Sequence, residues 1–349
     1  MQAALVRDRA PTQTRTVAAR STRASSWVYL PALLVPIVAA ALLAVGWTSN
    51  WGGVSLADSQ TSLRVTTVGP LALAILGLCL IAERVRPAQR RALVARGHRQ
   101  DLIFTVLNAI VVLPFVAALT LAFVDVVRKA APWIVIPDFG VVPRWAVTIA
   151  ILIAMDGCNW LVHLANHRVR MLWRFHELHH SQEDMNALTV FRTHPFIHVS
   201  YLLAVVPGLV LLANGELSTL LLVLYGGAVA FAHSNTNLSF GPLDRIFVSP
   251  NFHRIHHRLR GPQDVNLGFT LTIWDQLARR AVFPTPETIR ADTGLPNRPL
   301  RVEQQGERPH HLEVLAAQLV GPFRPWREPV ALASVRDSAR SVPSEHKGV

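Results

Sequence analysis

The stretch HLANHRVRMLWRFHELHH, residues 163–180, decides how the chain is read. His163 and His167 stand four apart, as do His176 and His180, and His179 adjoins His180. On a helix, residues three and four apart share a face and lie about 5–6 Å from one another. Each four-apart pair therefore aims two imidazoles at one place. His179, turned about 100° from His180 by the helical repeat, can serve a neighbouring place. The pattern recurs once, because His253-Arg-Ile-His256-His257 repeats the spacing of His176 to His180. Two more histidines stand in short motifs between these boxes: His194 in Arg192-Thr193-His194-Pro195 and His233 in His233-Ser234-Asn235.

A lone histidine in an apolar region is ordinarily a hydrogen-bonded structural residue. A set at paired spacing on the ends of apolar helices is different, because packed neutral imidazoles lack partners and charged ones repel. Metal ions resolve both difficulties. The boxes supply His163, His167, His176, His179, His180, His253, His256 and His257; adding His194 and His233 gives five ligands for each of two ions. All-imidazole sites suit iron, zinc or copper, whereas Mg²⁺ and Ca²⁺ prefer oxygen. His98, His198, His310, His311 and His346 fit no such spacing and are read as structural. Asp156 lies two turns before His163 on one helix face and is expected to orient a ligand imidazole from behind. Asn235 and Asn266 are further candidates for that supporting role.

Around the histidines the chain is apolar. Of its 349 residues 51% are hydrophobic and only 16% charged, against about 25% charged in a soluble globule. That excludes a disordered or collagen-like chain. Cys79 and Cys158, the only cysteines, sit in apolar stretches as inert packing, which excludes a disulfide scaffold. The net charge of +12 is carried by arginine, since Lys129 and Lys347 are the only lysines. These arginines flank apolar segments, an arrangement that points to the cytoplasmic face of a membrane and not to nucleic acid.

The spans follow from length. Trp27–Trp47 has about the 20 residues a hydrocarbon core requires. Val65–Ile81 and Leu102–Val124 are the second and third, and the fourth starts at Trp145 and continues through Met155 towards His163. Phe196–Ala213 and Leu217–Ala232 form a hairpin, spanning or re-entrant, around Asn214-Gly215-Glu216. Arginines before Trp27 and between Arg84 and Arg99 place those segments in the cytoplasm; counting crossings onward brings every box to the same face. The fold expected is an all-α integral membrane protein with four or more transmembrane or re-entrant helices and a cytoplasmic helical cap carrying a histidine-ligated dimetal site. Its divisions are a basic segment 1–26, membrane spans and basic loop 27–100, a catalytic region 101–283, and a polar tail 284–349 whose end is disordered.

These residues resemble the fatty acid hydroxylase superfamily, also called the sterol desaturase family. The order His-x3-His, His-x2-His-His, His-x2-His-His is that family's. Leu172-Trp173-Arg174-Phe175-His176, Arg192-Thr193-His194-Pro195, Phe231-Ala232-His233-Ser234-Asn235, Gly241-Pro242-Leu243-Asp244, Pro250-Asn251-Phe252-His253-Arg254 and Asn266-Leu267-Gly268 with Trp274-Asp275 are similar to its flanking elements. The departures are Leu267, where an aromatic residue is common, and Gln276-Leu277-Ala278, which replaces an aromatic-Gly-Thr turn.

The resemblance implies a membrane-bound, non-haem di-iron oxidoreductase that hydroxylates or desaturates an unactivated C–H position of a lipid with O₂ and two electrons. Zinc can replace iron on purification. With no fused cytochrome b5-like domain, electrons are expected from a separate ferredoxin or cytochrome b5-like donor and its reductase. The site is expected on the cytoplasmic face of a bacterial inner membrane or its equivalent. Two other classes compete. A metal-dependent membrane hydrolase would activate water, but His176-Glu177-Leu178-His179 is one residue short of the His-Glu-x-x-His protease spacing. A metal transporter or sensor would carry its ligands in mid-span, whereas these cluster at helix ends.

Overall fold

The structure is a computed structural model and describes residues 69–92, 94–135, 141–201, 219–296 and 310–323. Its elements, in chain order, are α1 (Gly69–Val85), α2 (His98–Leu107), α3 (Leu113–Ala130), α4 (Arg144–Arg168), α5 (Arg170–His180), α6 (Thr219–Ala232), α7 (Pro250–His256), α8 (Ile273–Leu277), α9 (Pro286–Ile289) and α10 (His311–Val320). Among the described residues no strand forms; three isolated antiparallel bridges, Pro87 with Thr236, Phe247 with Leu271 and Arg258 with Thr293, pin loops together.

The pattern of α4 is inverted relative to a helix of a soluble protein. Trp145, Ile149, Ile153 and Leu161, separated by multiples of four, are exposed. Asp156, Asn159, His163 and Asn166 are buried. Phe115, Leu119, Phe123 and Val126 make a second exposed apolar stripe on α3. Stripes of this size are hard to leave in water. Among the described residues, Trp145–Arg168 is the one helix long and apolar enough to cross a membrane. The expected span Trp27–Trp47 lies outside the described residues, as does 202–218 of the expected hairpin. The expected span Leu102–Val124 falls on a continuous helical run in which a π-helical turn, Asn108–Val112, joins α2 to α3.

Val169, in an extended conformation, ends α4, and α5 starts at the next residue and packs back on it. This corner brings the first two boxes face to face. α6 packs on α1 at Gly227, where a Cβ would lie 2.8 Å from Ile75 Cγ2. It releases His233 immediately after its last residue. The third box rides on α7, which opens with the Ser249 side chain accepting from the Phe252 N–H and with Pro250 in the first turn.

The second box is held from outside by a buried carboxylate. Asp101 accepts from Arg192 Nε at 2.6 Å, Asn186 Nδ2 at 2.7 Å and Gln182 Nε2 at 2.5 Å, tying α2 to the loop after α5. The tail differs from the expected polar extension. In α10, Val314 and Gln318 are buried, and Leu315 and Leu319 pack against Phe104 and Leu178. Recurrence at three and four residues gives this helix an apolar face too short to register in the polar composition around it.

Candidate metal centre

Nine histidines converge in two groups. His163 and His167 from α4, His176 and His180 from α5 and His256 from α7 form a group whose ligand atoms all lie within 4.8 Å of one another. His179, His233, His253 and His257 form a second group under the same limit. In the first, Nε2 of His176 lies 3.0 Å from Nε2 of His163 and 3.3 Å from that of His180. In the second, Nε2 of His233 is 3.0 Å from those of His179 and His253, and Nε2 of His257 is 3.2 Å from that of His253. Two nitrogens about 2.1 Å from one ion at right angles lie about 3 Å apart, so these are ligand-to-ligand spacings.

The state of the rings agrees with metal binding. Burial, then the neighbouring rings, holds His176, His179, His180, His253 and His257 well below the ordinary histidine range. Burial, then His163, does the same to His256. Burial brings His233 to about 4. Neutral imidazoles keep a lone pair for a metal. Among the described residues, the buried Nε2 atoms of His167 and His256, both in the first group, meet no hydrogen-bond partner. Such atoms are costly unless an ion or other partner satisfies them. The donor set therefore fits two ions of the imidazole-preferring metals.

Backbone carbonyls fix four of the rings. The Nδ1–H of His163 donates to Leu267 O at 2.8 Å and that of His256 to Val265 O at 2.9 Å. His179 donates to Thr189 O at 3.2 Å and His233 to Val229 O at 2.7 Å. A carbonyl only accepts, so each proton sits on Nδ1 and each Nε2 lone pair is left for the centre.

The carbonyls are themselves positioned. Asp275 accepts from the N–H groups of Leu267 at 2.9 Å and Gly268 at 2.8 Å, and from Trp160 Nε1 at 2.9 Å. Asn266, at φ 54°, donates through Nδ2 to Phe252 O and Val282 O and accepts from Val282 N. It thus holds the segment that presents both Val265 O and Leu267 O. On the other side, Asn186 and Thr189 close a reciprocal capping box that sets Thr189 O.

Asp156 departs from the role expected of it. Its oxygens accept from Thr270 N and Oγ1, Trp274 Nε1 and Tyr225 Oη at 2.7–3.0 Å, and none of its hydrogen bonds reaches a histidine. It anchors the 270–274 loop to α4. Asn235 likewise touches no imidazole; it pairs with Gln89 N and O and so fastens the 84–91 loop beneath His233.

His194 is the larger correction. Its Nε2 donates to Leu319 O at 3.0 Å and its Nδ1 accepts from Phe196 N at 3.2 Å. Both nitrogens are taken by backbone, and His194 stands outside both groups, so the expected five and five become five and four. Asp275 was visible in the Trp274-Asp275 motif but carried no assigned role. Thr189 and Asn186 gave no sequence signal.

His163, His176, His179, His233 and His253 also line a cavity of about 100 Å³, whose other walls include Ile197, Val229 and Phe269. Among the described residues no carboxylate lines it. Residues 148–279 match the family model described as fatty acid hydroxylase. The matched stretch holds all three histidine boxes. The resemblance read from the histidine boxes is thereby borne out.

The chain is 35% identical over 154 residues to an ornithine lipid hydroxylase of Rhizobium tropici, covering 43% of this chain and 45% of that protein. It is 30% identical over 128 residues to the alkylglycerol monooxygenase of Homo sapiens, covering 35% and 27% respectively. Against the alkylglycerol monooxygenase of Danio rerio the identity is 30% over 141 residues, covering 38% and 30%. The chain thus spans less than half the length of each of these relatives. No solved structure matches it.

Proposed function

We propose that the protein is a membrane-embedded, O₂-dependent lipid hydroxylase whose nine grouped histidines hold two iron ions. The observation that carries this reading is that both groups open on one cavity whose other walls are largely apolar. Two relatives named as a hydroxylase and a monooxygenase support oxygen insertion over desaturation. Among the described residues the cavity wall offers mainly imidazoles and apolar groups and no carboxylate to serve a hydrolase as general base.

The ions, when bound, supply O₂ activation with two external electrons, so that one oxygen atom enters the substrate and the other leaves as water. The chain's own residues do the rest. The carbonyls of Leu267, Val265, Thr189 and Val229 keep the imidazole lone pairs directed inward. Ile197, Val229 and Phe269 hold an alkyl chain beside the histidines and exclude water, which limits wasteful side reactions. Four or more membrane segments, with the exposed stripes of α3 and α4 against lipid, put the site at the cytoplasmic surface. A separate ferredoxin or cytochrome b5-like donor and its reductase deliver electrons there, and docking is aided by the basic loop.

The test uses full-length protein in nanodiscs, loaded anaerobically with iron, given reductant and ¹⁸O₂, with lipid extracts as substrate. About two irons per chain and one ¹⁸O atom in a product lipid are expected. Label taken from H₂¹⁸O, or product without O₂ consumption, would overturn the reading.

A further inference from the structure

Besides the grouped histidines, three polar side chains interrupt the apolar wall of the cavity: Thr193, His198 and Tyr201. His198, on the helical segment 195–201, lines the same cavity as five of the grouped histidines. Its Nε2 is 2.8 Å from Asn108 Oδ1 and 3.2 Å from Thr193 Oγ1. The amide of Asn108 has only one workable orientation. Its Nδ2 donates to Phe104 O and to Phe191 O, each at 2.9 Å, so the atom facing His198 is the oxygen. An amide oxygen only accepts; the proton of His198 therefore sits on Nε2. Among the described residues no carboxylate lines the cavity to balance a charged ring. The imidazole is neutral, and Nδ1 keeps its lone pair. None of the described residues meets Nδ1.

Asn108 is itself fully buried and opens the π-helical turn that interrupts the run from α2 to α3. Such turns concentrate at functional sites. A buried amide in an apolar helix is costly unless fully paired. Here its pairing sets the tautomer of a ring on the cavity wall.

Resting on the lipid-hydroxylase reading, we infer that His198 is the specificity residue of this cavity. It accepts a hydrogen bond through Nδ1 from a hydroxyl or amide N–H that the substrate carries near the carbon to be oxidised. A site built around such an acceptor disfavours an isosteric lipid without the donor, because the ligand would cover the lone pair and leave it unmatched. The substrate class is thus a lipid with a hydrogen-bond donor next to its reactive alkyl segment. A plain hydrocarbon or a fully capped chain is excluded.

The test measures binding, not turnover, on full-length protein in nanodiscs loaded with redox-silent zinc. The probes are 1-O-hexadecylglycerol and its 2,3-di-O-methyl ether, with empty nanodiscs as the baseline. Wild type is expected to bind the diol about tenfold more tightly than the ether, the contribution of one neutral hydrogen bond. His198→Phe is expected to bind both at the ether's level with two metals retained. His198→Gln, which can donate to Asn108 and accept from the ligand, is expected to restore part of the preference. Equal binding of both probes by wild type overturns the inference and leaves the lipid reading standing. So does an undiminished preference in metal-replete His198→Phe. Failure of wild type to bind either probe overturns the inference, while the ¹⁸O₂ experiment decides the lipid reading separately. Should His198→Phe fail to fold, the wild-type pair and His198→Gln still decide.

Discussion

The two histidine groups are built by opposite means. Four of the five rings in the first, His163, His167, His176 and His180, come from the single corner where α4 turns into α5. The four of the second, His179, His233, His253 and His257, come from α5, the end of α6 and the end of α7. Three of those four line the cavity, against two of five in the first. With fewer histidines and a larger share of the cavity wall, the second group would leave an ion it held more open towards the cavity than the first group would. Local helix geometry builds the first group, and tertiary packing builds the second.

The strongest test of that contrast compares His253→Ala with His167→Ala. His253 sits between His233 and His257 in the second group and faces the cavity, whereas His167 does neither. Product formation in His253→Ala is expected to fall ~10³-fold, about 4 kcal/mol in barrier, with metal content near one per chain. His167→Ala should lose less activity for the same metal loss. Equal losses of activity, read by metal analysis and product mass spectrometry, would break the asymmetry.

The carbonyls behind the rings offer a gentler probe. Asp275→Asn weakens the hold on Leu267 O and hence His163 in the first group. Asn186→Ala releases Thr189 O and hence His179 in the second. Each is expected to lower metal affinity about 10–100-fold in its own group. Competition against a chelator, followed by spectroscopy of the remaining ion, shows whether the two losses are separable.

Acid acts on both groups together. Burial brings His233 to about 4, against 6.5 for an unperturbed histidine. Between those values the unfolded chain binds more protons than the folded one. The metal-free protein is therefore expected to lose stability as pH falls from about 6.5 towards 4, by about 1.4 kcal/mol per pH unit for each such ring. Above 6.5 this group adds no dependence. Denaturant midpoints at pH 7, 6 and 5 check the sign.

His194→Ala should have the smallest effect. With both nitrogens on backbone, its loss is expected to leave two metals in place and to lower activity less than about tenfold, through the α10 contact. A variant with one metal would restore His194 to the centre.

What the sequence made legible was whatever helix geometry alone determines. A spacing of four fixes the direction of two side chains, so His163 with His167 and His176 with His180 could be read before any fold was known. The same holds for His256 pointing away from His253 and His257. His194 has no helical partner, and its fate depends on Leu319, 125 residues away, on a helix hidden in a polar tail. Asp156 does lie on the face of His163. Its oxygens were nonetheless captured by the 270–274 loop and Tyr225, partners that only the folded chain brings near. Carbonyl groups behind the rings carry no side-chain identity at all, and so left no trace in the sequence beyond Asp275.

The corner at Val169 also sets an order of assembly. Residues 163–180 leave the ribosome together, and closing so short a loop costs little entropy. A nascent chain holding only that corner already presents four imidazoles, His163, His167, His176 and His180, to a single ion. The second group must wait until His257 has been synthesised and three distant segments have met, which is the slow, non-local part of folding. An ion held by the corner would therefore be taken up before one held by the second group, which would be the last to load.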